Sequence, residues 1–126
     1  MTDNIQDFQD QIAQSRALAV DIADIIAETP AADTRVIDIH EHSTIADVFV
    51  ICSGENERQL RAIYRAIMDD MGKAGHNPIR TEGDTTSGWM LIDFGDVVVH
   101  VFDEELRAFY DLEGRWENAP VILSIQ

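Results

Sequence analysis

The chain is poor in the residues that usually announce chemistry. A single cysteine, Cys52, stands among 126 residues, so no intramolecular disulfide can form. No apolar run approaches the roughly 18 residues that a membrane span needs. The opening Met1-Thr2-Asp3-Asn4-Ile5-Gln6-Asp7 lacks the basic start and apolar middle of a signal peptide. Together these absences predict a cytoplasmic protein with no membrane partner. The glycines never cluster. No Gly-rich run follows the strand-like segment that ends at Gly54, so a Walker loop and a dinucleotide fingerprint are both missing. Basic residues are scarce: nine Lys and Arg face 24 Asp and Glu, for a formal net charge of −15. Such a chain is ill suited to a binding mode that neutralises many phosphates. Its charge serves solubility, or docking on a basic protein.

What is present is a core. Hydrophobic residues make up 45% of the chain, enough for one folded domain at this length. Residues 1–14 are polar and irregular, and read as a mobile N-terminal lead-in to a domain over 15–126. Leu18, Ile22, Ile25 and Ile26 predict a helix from Ser15 to Glu28, broken at Thr29-Pro30. Arg35 to Glu41 alternates and predicts a strand with one wet face. Asp47 to Ser53 is a dense β-forming run and predicts a central strand. Asn56 is placed to cap a helix, with Gln59 as its reciprocal partner. Leu60, Ile63, Tyr64, Ile67, Met68 and Met71 carry that helix to a stop at Gly72 or Gly75. A short strand follows at Pro78 to Glu82. Asp103 can cap a last helix through Leu106, Phe109, Tyr110 and Leu112, ending at Gly114. Trp116 and Val121-Ile122-Leu123 are expected to pack back on the body. The order predicts a single α/β domain: a mixed five-stranded sheet with flanking helices and the main helix across one face. A right-handed crossover should join the 47–53 and 78–82 strands if they are parallel within one sheet.

The most informative stretch is Trp89 to Phe102. It reads as two strands joined by the two-residue loop Gly95-Asp96, where glycine tolerates the positive φ of a type II′ turn. Met90, Ile92 and Phe94 share one face of the first strand, and Trp89, Leu91 and Asp93 the other. The first set is a core face. The second places two large apolar groups beside a carboxylate, as a surface that meets a partner would. On that reading Trp89 is an interface anchor with little part in the core. The second strand is apolar on both faces except at His100, and should be central.

Other chemistry is thinly supported. His40 and His42 could share a strand face and meet His100, but no Cys or Asp cluster completes a metal site, and His100 reads as a core histidine satisfied by a hydrogen bond. No metal or cofactor is expected. Cys52 sits inside an apolar strand as packing. Asp93 and Asp96 flank a turn and should point to different sides, which is unsuited to paired acid–base work. Arg58, Arg61 and Arg65 form one helical stripe. It is either a solvated face with local ion pairs to Glu57 and Asp69, or a small basic island for a partner carboxylate or an RNA phosphate.

Ala46 to Gly54, Arg58-Gln59 and the apolar helix after them resemble the opening of the ribosomal silencing factors, the Iojap-like family. Glu82-Gly83, the run from Trp89 through Phe102, Glu105-x-Arg107-x-x-Tyr110-x-Leu112-Glu113, and Trp116 resemble the rest, collinearly over about residues 17–123. The resemblance implies a nucleotidyltransferase-like fold without catalytic residues. It implies a translation repressor that binds the large ribosomal subunit through ribosomal protein uL14 and blocks joining of the small subunit when nutrients are scarce. Carried to this chain, the docking face includes Trp89, Leu91, Asp93 and Asp96, with Arg58, Arg61 and Arg65 as the second candidate and rRNA contact minor at most. Two other readings stay open. One is a nucleotide-binding or nucleotidyltransferase-like enzyme built on the Ser53-Gly54 turn. The other is a homodimer through the Trp89 face.

Overall fold

The computed structural model describes residues 2–126, with side chains from residue 4 onward. Helix α1 spans Thr2–Ala27, followed by strands β1 (Ala32–Asp38) and β2 (Val48–Gly54) and helix α2 (Glu57–Lys73). Strands β3 (Arg80–Glu82), β4 (Trp89–Asp93) and β5 (Val97–Asp103) come next, then the short helices α3 (Glu104–Tyr110) and α4 (Leu112–Arg115) and strand β6 (Val121–Ile125). The strands form one mixed sheet in the order β3-β4-β5-β2-β1-β6. Its central pair, β2 with β5, is parallel, and the other pairs are antiparallel.

The α/β class is as expected, but the sheet has six strands rather than five. Val121–Ile125 adds to β1, its register shifted between Val36 and Ile37. β2 and β3 do lie in one sheet with the same direction, separated by β5 and β4. The N-terminal segment also differs. It is helical from Thr2, because Ile5, Phe8 and Ile12 continue the apolar stripe of α1 at helical spacing. Ile12 is buried, and Gln11 and Ser15 both donate to the Asp47 carboxylate, at 3.3 and 2.9 Å. Packing therefore begins before residue 15.

Local signals set the other boundaries. Asn56 Oδ1 accepts from Gln59 N–H at 2.9 Å, and the Gln59 side chain reaches past the cap to accept from Glu55 N–H at 2.9 Å. Gly75, at φ +88°, ends α2 in a Schellman arrangement: His76 N–H donates to Met71 C=O at 2.8 Å, and Gly75 N–H to Gly72 C=O at 3.0 Å. The last helix is split. Asp111 adopts φ +46° and closes α3, then its carboxylate caps α4 through Gly114 N–H at 3.1 Å. Gly114 is thus inside α4, not a terminator.

The sheet separates two unequal layers. On one face α1 and α2 bury Ala19, Ile22, Ala23, Ile26, Leu60, Ile63, Ile67 and Met71 against Val36, Val50, Met90, Ile92, Val99 and Val101. On the other, Ile37, Ile39, Phe49, Ile51, Val98 and Phe102 are covered by Leu106, Leu112 and Trp116 from short elements. Because both faces are covered there, β1 is buried on both sides from Val36 to Asp38, and only Asp33 and Arg35 near its start are exposed. Asp38 is buried on the helical side, where Arg16 Nε donates to it at 2.7 Å and the His40 backbone N–H at 3.0 Å. The His40 ring is hydrogen-bonded to the same carboxylate. Burial alone would raise the Asp38 pKa; these hydrogen bonds outweigh it and hold the acid below its ordinary value.

Candidate docking groove

The hairpin folds as its alternation requires. Gly95, at φ +97°, supplies the positive first turn position of a type II′ loop, and Phe94 N–H donates to Val97 C=O at 2.9 Å. Met90 and Ile92 are buried beneath α1 and α2, while Trp89, Leu91 and Asp93 emerge half-buried on the thinly covered face. There they wall a groove of about 240 Å³. Phe49 and Val98 belong to its lining from the sheet, and Leu112 and Trp116 from the C-terminal segment. His100 also lines it. Ile45, 72% exposed, and Arg80 and Arg115 stand at the lip. A second hollow, formed with Glu82 and Gly83, lies along Trp89 and Leu91, so these two side chains stand as a ridge between two depressions.

Trp89 is more than a free-standing anchor. Its ring stacks on Phe102 at 4.9 Å between centroids and meets Tyr110 at 4.7 Å. Its Nε1–H donates to His100 Nδ1 at 3.2 Å. The expectation that it has little part in the core is corrected: it belongs to the smaller apolar cluster. Phe109, 76% exposed, packs edge-on against Tyr110 at 5.1 Å and extends the aromatic surface beyond the groove.

The charges at the lip are largely compensated. Arg80 donates to Asp93 at 3.1 Å and to Glu82 at 2.6 Å, and Asp93 also accepts from Gly95 N–H at 2.7 Å. Asp93 therefore shapes the turn as well as the surface. Asp96 is exposed and does not line the groove. Its carbonyl accepts from Asp47 N–H at 2.8 Å and Val48 N–H at 3.1 Å, tying the turn to the start of β2. The Arg115 guanidinium lies 5.8 Å from the Trp116 ring centre.

The remaining candidates fall elsewhere. Arg58, Arg61 and Arg65 are exposed on α2, across the sheet from the groove. Arg61 pairs with Glu57 at 3.9 Å, and among the described residues Arg58 and Arg65 form no ion pair. His40 turns to Asp38 and packs edge-on to Phe8, 6.0 Å away on α1, whereas His100 is enclosed by aromatic rings on the other face, so the histidines are not brought together. Among the described residues no three His, Cys, Asp or Glu side chains gather as metal ligands. Burial pushes the Cys52 thiol up to about 12, which leaves it inert packing. A Cβ on Gly54 would stand 2.9 Å from Leu60 Cδ2, so this glycine permits the close approach of α2 to the end of β2. No helix of the described residues is long and apolar enough to cross a membrane.

Phe49, Leu112 and Trp116 were not read as site residues from the sequence. Phe49 carried a signal, since it alternates with Val48 and Val50 in a strand covered on both faces. Leu112 and Trp116 carried none, because only the fold brings them to β4.

Comparison with known proteins decides the family. The model of the family described as "Ribosomal silencing factor during starvation" matches residues 12–126. The chain belongs to the ribosomal silencing factor family. It is 41% identical over 91 residues to "Ribosomal silencing factor RsfS" of Bacillus subtilis, covering 72% of this chain and 77% of that protein. It is 34% identical over 113 residues to "Protein Iojap, chloroplastic" of Zea mays, covering 90% of this chain and 49% of that longer protein. The crystal structure of a Bacillus halodurans protein superposes with a TM-score of 0.74 at 32% identity, covering 86% of this chain and 98% of that one. A second crystal structure, of protein CV0518 from Chromobacterium violaceum, gives 0.68 at 27% identity, covering 86% of this chain and 85% of that one. Membership places this chain in the control of translation, and its relatives carry the names of regulators.

Proposed function

We propose that this protein is a non-enzymatic translation repressor. It docks on the large ribosomal subunit through ribosomal protein uL14 and prevents the small subunit from joining. The supporting observation is the groove: an aromatic, half-open surface on the side of the sheet that only short elements cover. A stable partner contact uses such a patch, with a large aromatic side chain at its centre and a polar rim. The net charge of −15 favours a basic partner and speeds encounter with it. Inhibition by steric occupancy needs no reacting group.

The test is direct. The protein should co-sediment with purified large subunits but not with small subunits or joined ribosomes, and should slow joining in a light-scattering assay. Co-sedimentation with small subunits instead, or binding that leaves joining untouched, would sink the proposal. Self-association through the same groove would compete with docking, and sedimentation of the free protein over a concentration series reports it.

A further inference from the structure

His100 uses one ring nitrogen and leaves the other idle. The residue is 4% exposed, and the Phe49 and Phe102 rings hold it at 4.6 and 6.0 Å between centroids. Trp89 Nε1 lies 3.2 Å from its Nδ1. An indole N–H can only donate, so Nδ1 accepts and the proton of the neutral ring sits on Nε2. Burial drives the His100 pKa down to about 4, so the ring is neutral at physiological pH. Among the described residues Nε2 is a buried side-chain donor with no partner. Folded proteins seldom leave such a group idle, because its lost bonds to water go unreplaced. The same side chain lines the groove.

We propose that His100 Nε2–H is the recognition point of the groove, and that it donates to a neutral oxygen acceptor inserted by the docked protein. This rests on the docking reading above. The acceptor is an amide or peptide carbonyl, or a hydroxyl, carried between Trp89, Leu91, Phe49 and Trp116. Two observations select this class. A groove of about 240 Å³ falls below the roughly 300–1,000 Å³ of small-molecule pockets, and suits one side chain or the tip of a turn. The donor is uncharged and pairs a neutral oxygen without burying a charge, and of the two cations at the lip Arg80 is already engaged by Asp93 and Glu82 while Arg115 lies over the Trp116 ring. Nε2 is closed off in the free protein, so seating requires a small shift of the groove lining. Specificity follows: a partner residue of the same shape without an oxygen leaves the donor unpaired.

Two substitutions separate recognition from packing. His100→Phe keeps an aromatic ring but removes both nitrogens. His100→Gln keeps an acceptor for Trp89 and an N–H for the partner but loses the ring. A packing role ranks the variants by shape, with Phe above Gln in both stability and binding. Recognition reverses the binding order. Thermal unfolding should place Phe at or above wild type, while affinity for purified large subunits should fall roughly 10- to 100-fold for Phe and less for Gln. The loss should persist when His100→Phe is made in a Trp89→Phe background, where no indole N–H is left without an acceptor. Wild-type affinity in His100→Phe, or an effect that vanishes in the Trp89→Phe background, would overturn the inference and leave the docking reading standing. A wild-type protein that fails to sediment with large subunits would overturn both.

Discussion

Trp89→Ala tests the groove with a perturbation whose two consequences can be separated. The indole stacks on Phe102 and Tyr110 and donates to His100. A packed tryptophan buries ~150–250 Å². At ~25 cal/mol per Å² and with part of the ring exposed, its removal should destabilise the fold by about 2–3 kcal/mol. Ile92→Ala deletes fully buried volume from the opposite face and should cost ~2–5 kcal/mol. Both variants should therefore melt earlier, by several degrees per kcal/mol in a domain of this size. Binding distinguishes them. A hot-spot aromatic contributes ~2–4 kcal/mol, so Trp89→Ala should weaken large-subunit binding roughly 30- to 1000-fold. Ile92→Ala, measured below its melting point, should bind nearly as wild type. The assay is co-sedimentation over a concentration series, paired with thermal unfolding of the same samples. If folded Trp89→Ala blocks subunit joining at the wild-type concentration, the docking surface is elsewhere, and the Arg58-Arg61-Arg65 stripe across the sheet is the next place to look. An unchanged melting temperature would refute the packing role given to the Phe102 and Tyr110 contacts.

Binding to the large subunit should weaken only moderately from low to physiological salt, as for two proteins of opposite charge; a slope steep enough for many phosphate contacts would mean that rRNA carries the binding. Stability should fall as pH drops from about 6.5 to about 4. In that window unfolded His100 binds a proton that the folded ring, with its pKa lowered to about 4, refuses. The loss should reach about 3 kcal/mol at ~1.4 kcal/mol per unit, and His100→Phe should flatten that part of a denaturation series; an equal slope in the variant would refute the assignment. Asp38, its pKa lowered in the folded state, adds stability that is present above its unfolded value and lost only as pH falls through the folded one, below the His100 window. Asp38→Asn keeps the shape but turns an amide toward Arg16, and should cost ~1–3 kcal/mol in urea unfolding without changing docking.

What could be read from the chain was local. The β4–β5 hairpin was legible because a two-residue period and one glycine specify it, and both faces of β4 follow from parity alone. Helix α2 was legible because its stripe, its Asn56 cap and its Gly75 stop agree. The start of α1 was hidden, since Ile5, Phe8 and Ile12 are diluted by Asp and Gln. β6 was hidden because Val121-Ile122-Leu123 does not alternate and its partner β1 is distant in sequence. The burial of Asp38 depends on Arg16, a residue of another element. The groove was half legible for the same reason. Parity exposes Trp89 and Leu91, but Phe49, Leu112 and Trp116 reach them only through sheet pairing and the kink at Asp111.

The parallel pair at the centre of the sheet has a consequence for how the chain folds. Val48 lies beside Val97, with all of α2, β3 and β4 between them in sequence. The β4–β5 hairpin can close on its own in microseconds through the Gly95-Asp96 turn. β2 can join it only after a long loop has been closed, with entropy lost before any contact repays it. Docking of β2 on a preformed hairpin is therefore the expected slow step. Truncations at Val50 or Val99, which meet across that seam, should slow refolding, whereas truncations in α1 at Ile12 should mainly speed unfolding. Stopped-flow refolding of the two sets would show whether the middle of the sheet assembles in the rate-limiting step, before α1 packs.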